Sequence, residues 1–240
     1  MVVIGITGNG GVGKTTIASN LGACLAVSGI RTLIIDANLY SPSVGAHFGV
    51  QTRYTIHDFV QNSQMGLEWL LYNIHGLKDL YLILGNDIRL PNPNISFRPI
   101  GGLIELVREY FGTILVDFPP GLPVSSRSLI DHLDYQILVI DPTVVPRRNL
   151  IPWVDELIMK YTTLGKDEMF VVINKPLIAE KDLRRLEGHI EEELGLPLLA
   201  TIPYEPELIE SLHAKTPSPL LETLPEALEI LAAEITELFL

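Results

Sequence analysis

The chain has a single cysteine, Cys24, in 240 residues. That excludes an internal disulfide framework and any metal site built from several thiolates. Basic residues are scarce as well: 17 Lys and Arg stand against 29 Asp and Glu, for a net charge of −12. Such a field repels DNA phosphates and anionic lipid surfaces, so nucleic acid and membrane are excluded as first readings. Long apolar runs are missing too. The opening Met-Val-Val-Ile-Gly-Ile-Thr stops at Gly8 and has no basic leader, too short for a signal core or a bilayer crossing. A cytoplasmic location is the expectation. The six histidines, at 47, 57, 75, 132, 189 and 213, include no i, i+4 pair that would set two ligands on one helix face. They read as surface or capping residues, and Cys24 as a core residue of a helix.

Apolar residues make up 47% of the chain and charged residues 19%, a composition that packs rather than remains disordered. A single domain over residues 1–240 would bury roughly three-quarters of its unfolded surface. Apolar runs alternate with helical periodicity. Strands are expected at 2–7, 31–36 and about 80–84, 113–117, 136–140, 169–173 and 198–202. Helices are expected after residue 16 and at about 100–110, 124–133, 149–162, 181–194 and 225–239. This rhythm predicts an α/β fold: a doubly wound, mostly parallel sheet flanked by helices. Residues 41–99 break the pattern, with Leu-Pro-Asn-Pro-Asn at 90–94, and read as an insertion of loops and short helices. Residues 216–225 carry three prolines and read as an irregular connection.

Gly8, Asn9, Gly10, Gly11, Val12, Gly13, Lys14 and Thr15 fit the pattern GxxxxGK[ST], and Thr16 follows. The motif lies between a predicted strand and a predicted helix, as its chemistry requires. Glycines let backbone N–H groups turn onto phosphates, the helix start adds its positive dipole end, Lys14 neutralises charge, and the Thr15 hydroxyl can ligate Mg²⁺. The bland alternative is a tight turn with a surface lysine. A dinucleotide fingerprint would not need Lys14 and Thr15. ATP or ADP with Mg²⁺ is therefore the expected ligand. Asp36 and Asp117 each end a predicted strand, where carboxylates project from the edge that would hold the phosphates, and read as water-mediated metal partners. Phe118-Pro119-Pro120-Gly121 behind Asp117 is a rigid turn placed to sense a terminal phosphate.

These motifs, with Asp36-Ala37-Asn38-Leu39-Tyr40-Ser41-Pro42-Ser43 and Ile173-Asn174-Lys175, resemble the Mrp/MinD branch of P-loop ATPases. The resemblance implies an ATP-dependent homodimer with nucleotides at its interface and a protein partner that reads the nucleotide state. It also implies that Asn174 contacts adenine and that Pro203-Tyr204-Glu205-Pro206 lines the base pocket. Two positions depart from the family. Its signature lysine is replaced by Asn9, which removes a cation from the phosphoryl-transfer site. Its second aspartate is replaced by Asn38, which can position water but cannot serve as a general base. Lys14, Asp36 and Asn38 are the expected catalytic set, and hydrolysis is expected to be slow or to depend on a partner. Arg147 and Arg148, with Arg127 a weaker candidate, could substitute for the lost lysine; otherwise the pair is two solvated arginines at a helix start.

The resemblance on the Mrp side points to metallocentre assembly, such as a metallochaperone inserting nickel into hydrogenase. The alternatives are a MinD/ParA-like positioning ATPase and a nucleotide-binding pseudo-enzyme scaffold. In the last helix Leu228, Leu231, Ala232, Ile235 and Leu238 form a stripe, with Glu226, Glu229, Glu234 and Glu237 on the opposite side. An acidic polar face argues against membrane anchoring.

Overall fold

The computed structural model describes residues 1–86, 96–143, 145–217 and 225–239. The sequence 90–94 and most of the proline-rich connection 216–225 lie outside the described residues. In chain order the elements are β1 (Val2–Gly8), α1 (Lys14–Val27), β2 (Thr32–Asp36), α2 (Val44–Phe48), α3 (Ile56–Gln61), β3 (Tyr72–Asn73), β4 (Leu80–Ile83) and α4 (Arg98–Val107). There follow β5 (Thr113–Asp117), β6 (Tyr135–Ile140), α5 (Leu150–Leu164), β7 (Met169–Asn174), α6 (Glu180–Gly188), β8 (Leu198–Ile202), α7 (Pro206–Ala214) and α8 (Glu226–Phe239).

The strands form one sheet in the order β3-β4-β2-β5-β1-β6-β7-β8. Every neighbouring pair is parallel except β3 with β4. A parallel sheet covered on both faces needs strands that are apolar throughout, and β1, β2 and β5 are buried at every residue. Their side chains divide by alternation. Val3, Leu33 and Ile35 enter the core shared with α4 and α5, while Ile4, Ile6 and Ile34 enter the core shared with α1 and α8. The doubly wound architecture is as expected.

α1 is enclosed on nearly all sides. Gly22 sits so close to β2 that a Cβ there would lie 2.6 Å from Ile34 Cδ1 and 2.9 Å from its Cγ1. α8 covers the outer side with Leu228, Leu231, Ala232 and Ile235, packing on α1 and β8. Leu238, expected on that stripe, is half-exposed at 49%. Phe239 is the anchor instead, stacked on Tyr135 at 4.1 Å and edge-on to Phe170 at 5.2 Å.

The loose stretch before residue 99 holds α2, α3, a 3₁₀ turn at Leu67–Trp69 and β3. The helix expected at 124–133 is a 3₁₀ helix, Val124–His132, and the one expected at 181–194 runs from α6 into a π-helical turn, His189–Glu193. α7 was not expected; Pro206 at its start was the signal.

Because Gly22 fills the gap against Ile34, Gly22→Ala should lower unfolding free energy by about 1–2 kcal/mol, overpacking outweighing alanine's better helix propensity. Ile34→Val, which removes Cδ1, should recover part of that loss in the double variant. Urea unfolding of the four proteins in the cycle checks this; additive effects would refute the packing account.

Candidate phosphate and metal site

The site is built where β1, β2, β5 and β7 end. Gly8 closes β1 with φ 145°, and a Cβ there would collide with the Val139 carbonyl oxygen. Gly13, with φ 95°, is the N-cap of α1, and a Cβ there would collide with Asn174 Nδ2. The same Asn174 amide donates to the Val12 carbonyl at 2.8 Å, so β7 clamps the glycine loop. Lys14 is only 7% exposed, and its Nζ donates to the Asn9 carbonyl at 2.9 Å. Burial pulls its pKa down, and the charge of Asp117 opposes that shift. A buried ammonium whose hydrogen-bond partner is a neutral loop carbonyl is placed to gain from an incoming phosphate.

Asp36 and Asp117 are paired in register across β2 and β5, and both are buried. Asp36 Oδ2 accepts from the N–H groups of Ser43 at 2.9 Å and Val44 at 3.0 Å, and Oδ1 accepts from the N–H of Asn38 at 3.2 Å. Asp117 Oδ2 accepts from Thr15 Oγ1 at 2.6 Å, and Thr15 Oγ1 accepts from Ser43 Oγ at 3.1 Å. Asp117 Oδ1 is buried with no hydrogen-bond partner. Burial first, and then the negative charge of Asp117, push the Asp36 carboxyl up to about 8. Burial also pushes Asp117 up to about 6, against the Thr15 hydrogen bond and the Lys14 charge. Two crowded carboxylates, one orphaned oxygen and a hydroxyl form a hard oxygen donor set, the chemistry that suits Mg²⁺. Thr15 would hold the ion directly, and Asp36 and Asp117 would hold it through water.

The remaining expected residues have definite partners. The Asn9 side chain turns inward, where Tyr161 Oη donates to its Oδ1 at 3.4 Å. Asn38 Nδ2 donates to the Ser41 carbonyl at 2.6 Å and its Oδ1 accepts from the Ser41 N–H at 3.3 Å, so both its polar ends close the loop after β2. Thr16 Oγ1 lies 3.2 Å from His47 Nε2. Gly10 and Gly11 cross the exposed side of the loop, and Pro203 is exposed after β8.

Lys175 is a cation to which the sequence motif assigned no part. It adopts a left-handed φ of 43°, its N–H donates to the Ile202 carbonyl at 2.6 Å, and its Nζ donates to the Gly11 carbonyl at 2.9 Å and pairs with Asp141 at 3.2 Å. Arg147 is turned away, its Nε 2.7 Å from Asp182 Oδ1 on α6. Arg148 is exposed, and Arg127 is partly buried with its Nε unpartnered.

The histidines need correcting. His47 and His57 are buried within their helices, neither surface nor capping residues, whereas His189 is buried at the C-cap of α6. His57 Nε2 lies 2.9 Å from the Leu39 carbonyl, and its Nδ1 accepts from the Asn86 N–H at 3.1 Å. His189 Nε2 lies 2.6 Å from Asp155 and its Nδ1 2.9 Å from Glu193. Among the described residues no group of three or more His, Cys, Asp and Glu could hold a metal ion.

The two raised carboxyl groups fix the sign of a pH effect. In the unfolded chain both titrate near about 3.9, so above that value the folded protein holds more protons than the unfolded one until its own groups ionise. Stability without Mg²⁺ should therefore fall as pH rises toward the folded values of about 6 for Asp117 and about 8 for Asp36. Thermal unfolding in EDTA should give a higher midpoint at about pH 5 than at about pH 8, and Asp36→Asn should flatten the difference. A wild-type slope shared by Asp36→Asn would remove these carboxyls as its cause.

Residues 3–218 match the family described as the CobQ/CobB/MinD/ParA nucleotide binding domain. The chain is 28% identical over 222 residues to the septum site-determining protein MinD of Thermotoga maritima, covering 90% of this chain and 80% of that protein. It is 25% identical over 227 residues to an iron-sulfur cluster carrier protein of Rickettsia typhi, covering 93% and 68%. In fold it is similar to MinD of Pyrococcus horikoshii complexed with Mg-ADP, with a TM-score of 0.79, 24% identity, and coverage of 99% of this chain and 96% of that one.

Proposed function

This chain belongs to the CobQ/CobB/MinD/ParA nucleotide-binding family of P-loop ATPases, and on that premise we propose that it is a Mg²⁺- and ATP-dependent switch acting on a protein partner in metallocentre assembly. The observation that carries the reading is the meeting of Lys14, Thr15, Asp36 and Asp117 at one edge of the sheet. A bound Mg²⁺ would neutralise the carboxylate pair and the phosphates together. Lys14 and the loop N–H groups hold the phosphates. Asn174 at the end of β7 and Lys175 just after it keep the loop in shape, and the adenine would lie against Asn174 and the exposed residues Pro203 and Tyr204.

The output of the switch is carried by Asp36. Its carboxylate holds the first N–H groups of α2, so any change in its charge or position moves Ser43 and Val44. Tyr40 Oη and Ser125 Oγ, 2.8 Å apart, join the loop after β2 to the loop after β5, so the two respond together. In the proposed cycle ATP favours a homodimer, and the partner reads these loops.

The likeness to an iron-sulfur cluster carrier supports the metallocentre reading. With one buried cysteine, this chain has no thiolate set, so the metal travels on the partner. Nickel insertion into hydrogenase by a metallochaperone is the form proposed. Spatial positioning is favoured instead by the identity to the Thermotoga MinD, and opposed by the net charge of −12 and the exposed glutamates of α8. Among the described residues no helix is long and apolar enough to cross a membrane. ATP-dependent co-sedimentation with anionic vesicles would favour positioning; ATP-dependent retention of a metallochaperone would favour assembly.

Mg-ADP should raise the thermal midpoint of the wild type and leave Lys14→Ala nearly unmoved, because only a ligand selective for the folded state stabilises it. Turnover of the isolated protein should lie below about 1 per second. Asn9→Lys combined with Asn38→Asp should raise it, while Arg147→Ala should leave it unchanged because Arg147 is held by Asp182. Steady-state kinetics decide: fast wild-type turnover, or loss on Arg147→Ala, would overturn the assignment of these residues.

A further inference from the structure

His47, 8% exposed on α2, is a buried titratable group for which the proposed cycle has no use. Each of its ring nitrogens has one partner: the Ser43 carbonyl lies 3.1 Å from Nδ1, and Thr16 Oγ1 lies 3.2 Å from Nε2. A carbonyl oxygen only accepts, so Nδ1 carries a proton. Burial holds the ring below its ordinary pKa, with the hydrogen bond to Ser43 opposing, so at neutral pH Nδ1 carries the only ring proton. Nε2 is then an acceptor, and the Thr16 hydroxyl proton points at it. Thr16 belongs to the first turn of α1, at the end of the phosphate loop. In this state its hydroxyl turns lone pairs, not a proton, toward an arriving phosphate.

We infer that His47 is a positioning residue: its protonation state decides which way the Thr16 hydroxyl donates, and an anion in the phosphate loop draws a second proton onto its ring. The inference rests on the phosphate-binding reading of the loop. A proton taken from solvent adds to Nε2, which changes from acceptor to donor toward Thr16 Oγ1. The hydroxyl proton is thereby freed to rotate toward a phosphate oxygen, and the new imidazolium adds a positive charge beside the site. By linkage, binding and protonation favour each other to the same extent.

The helices packed most closely on α2 are α1 and α7. Their titratable groups are Lys14 and Cys24 on α1, and Glu207, Glu210 and His213 on α7, with Lys215 at its C-cap against Gly49; Asp36 holds the start of α2. Lys14 and Asp36 lie in the phosphate site itself, so a pH profile of affinity alone would mix their titration with that of His47. A signal from the ring separates them.

The test is NMR titration of the histidine ring resonances of the full chain in EDTA, with and without ADP. The binding of ADP is first established by calorimetry. The free protein should show the Nδ1–H tautomer at His47, and saturating ADP should move the His47 midpoint upward. Calorimetry in buffers of different ionisation heat should record proton uptake on binding. His47→Gln, which can still bond Thr16 but cannot titrate, should lose that uptake and the accompanying gain of about three- to tenfold in ADP affinity on the acid side. The wild-type NMR result stands whether or not the variant folds. An Nε2–H tautomer in the free protein, or ADP binding that leaves the His47 midpoint in place, would overturn the inference while leaving the nucleotide site intact. An absence of ADP binding in calorimetry with Mg²⁺ as well as in EDTA would instead strike the nucleotide reading, and the inference with it.

Discussion

The feature on which the rest depends is a repulsion. The parallel register of β2 and β5 sets Asp36 beside Asp117, both buried, and burial penalises both charges. Such a pair is tolerated only if other groups compensate for it. Part of the compensation is visible. Asp36 takes the N–H groups that open α2, and Asp117 takes the Thr15 hydroxyl and the field of Lys14. The compensation is incomplete, because Asp117 Oδ1 has no partner and Lys14 has only a loop carbonyl. A cation for the carboxylates and an anion for the lysine would complete both halves at once, and a metal-bound phosphate supplies the two in one ligand.

The same constraint bears on the proposed switch. Apart from Lys14 and Thr15 on the first turn of α1, the groups that offset the carboxylates are backbone N–H groups of the loop after β2 and the start of α2. Changing the charge at the pair alters what those elements hold on to. The Tyr40–Ser125 contact then links the loops behind the two aspartates, so they respond as one unit. Asn174, which ends β7, and Lys175 just after it bond the glycine-loop carbonyls of Val12 and Gly11, tying the loop to the sheet.

Much of this was legible in the residues, and for a physical reason. Strands in a covered parallel sheet are uninterrupted apolar runs, so β5 and β8 begin and end where the pattern says, and the carboxylates closing β2 and β5 mark the sheet edge. The glycine loop was legible because its chemistry needs fixed residues at fixed spacing. What was not legible depends on distant contacts. α1 is enclosed because α8 arrives from the far end of the chain to cover it. The last anchor of α8 is Phe239 rather than Leu238, because Tyr135 and Phe170 supply an aromatic surface that periodicity does not reveal. His47 and His57 are isolated in sequence, and only the folding of the loose stretch after Ser41 brings them to Thr16 and Leu39.

The two asparagine replacements acquire a different meaning once their partners are known. A lost charge alone would weaken both binding and turnover, yet neither side chain is left idle. Asn9 meets the hydroxyl of Tyr161, a fully buried ring on α5, and Asn38 closes the backbone at Ser41. Both contacts are neutral and internal, and both hold the resting shape of the loops. A lysine at residue 9 could not keep the tie to Tyr161 and also reach outward, and an aspartate at residue 38 would add a third carboxylate to a place where two already repel. On the proposed reading the replacements would favour a stable nucleotide-holding state over a fast transition state, since Lys14, Thr15 and the loop N–H groups, the proposed source of ground-state affinity, are all present. Affinity and rate are on that reading set by different residues in this chain, so a weakened rate would leave affinity in place.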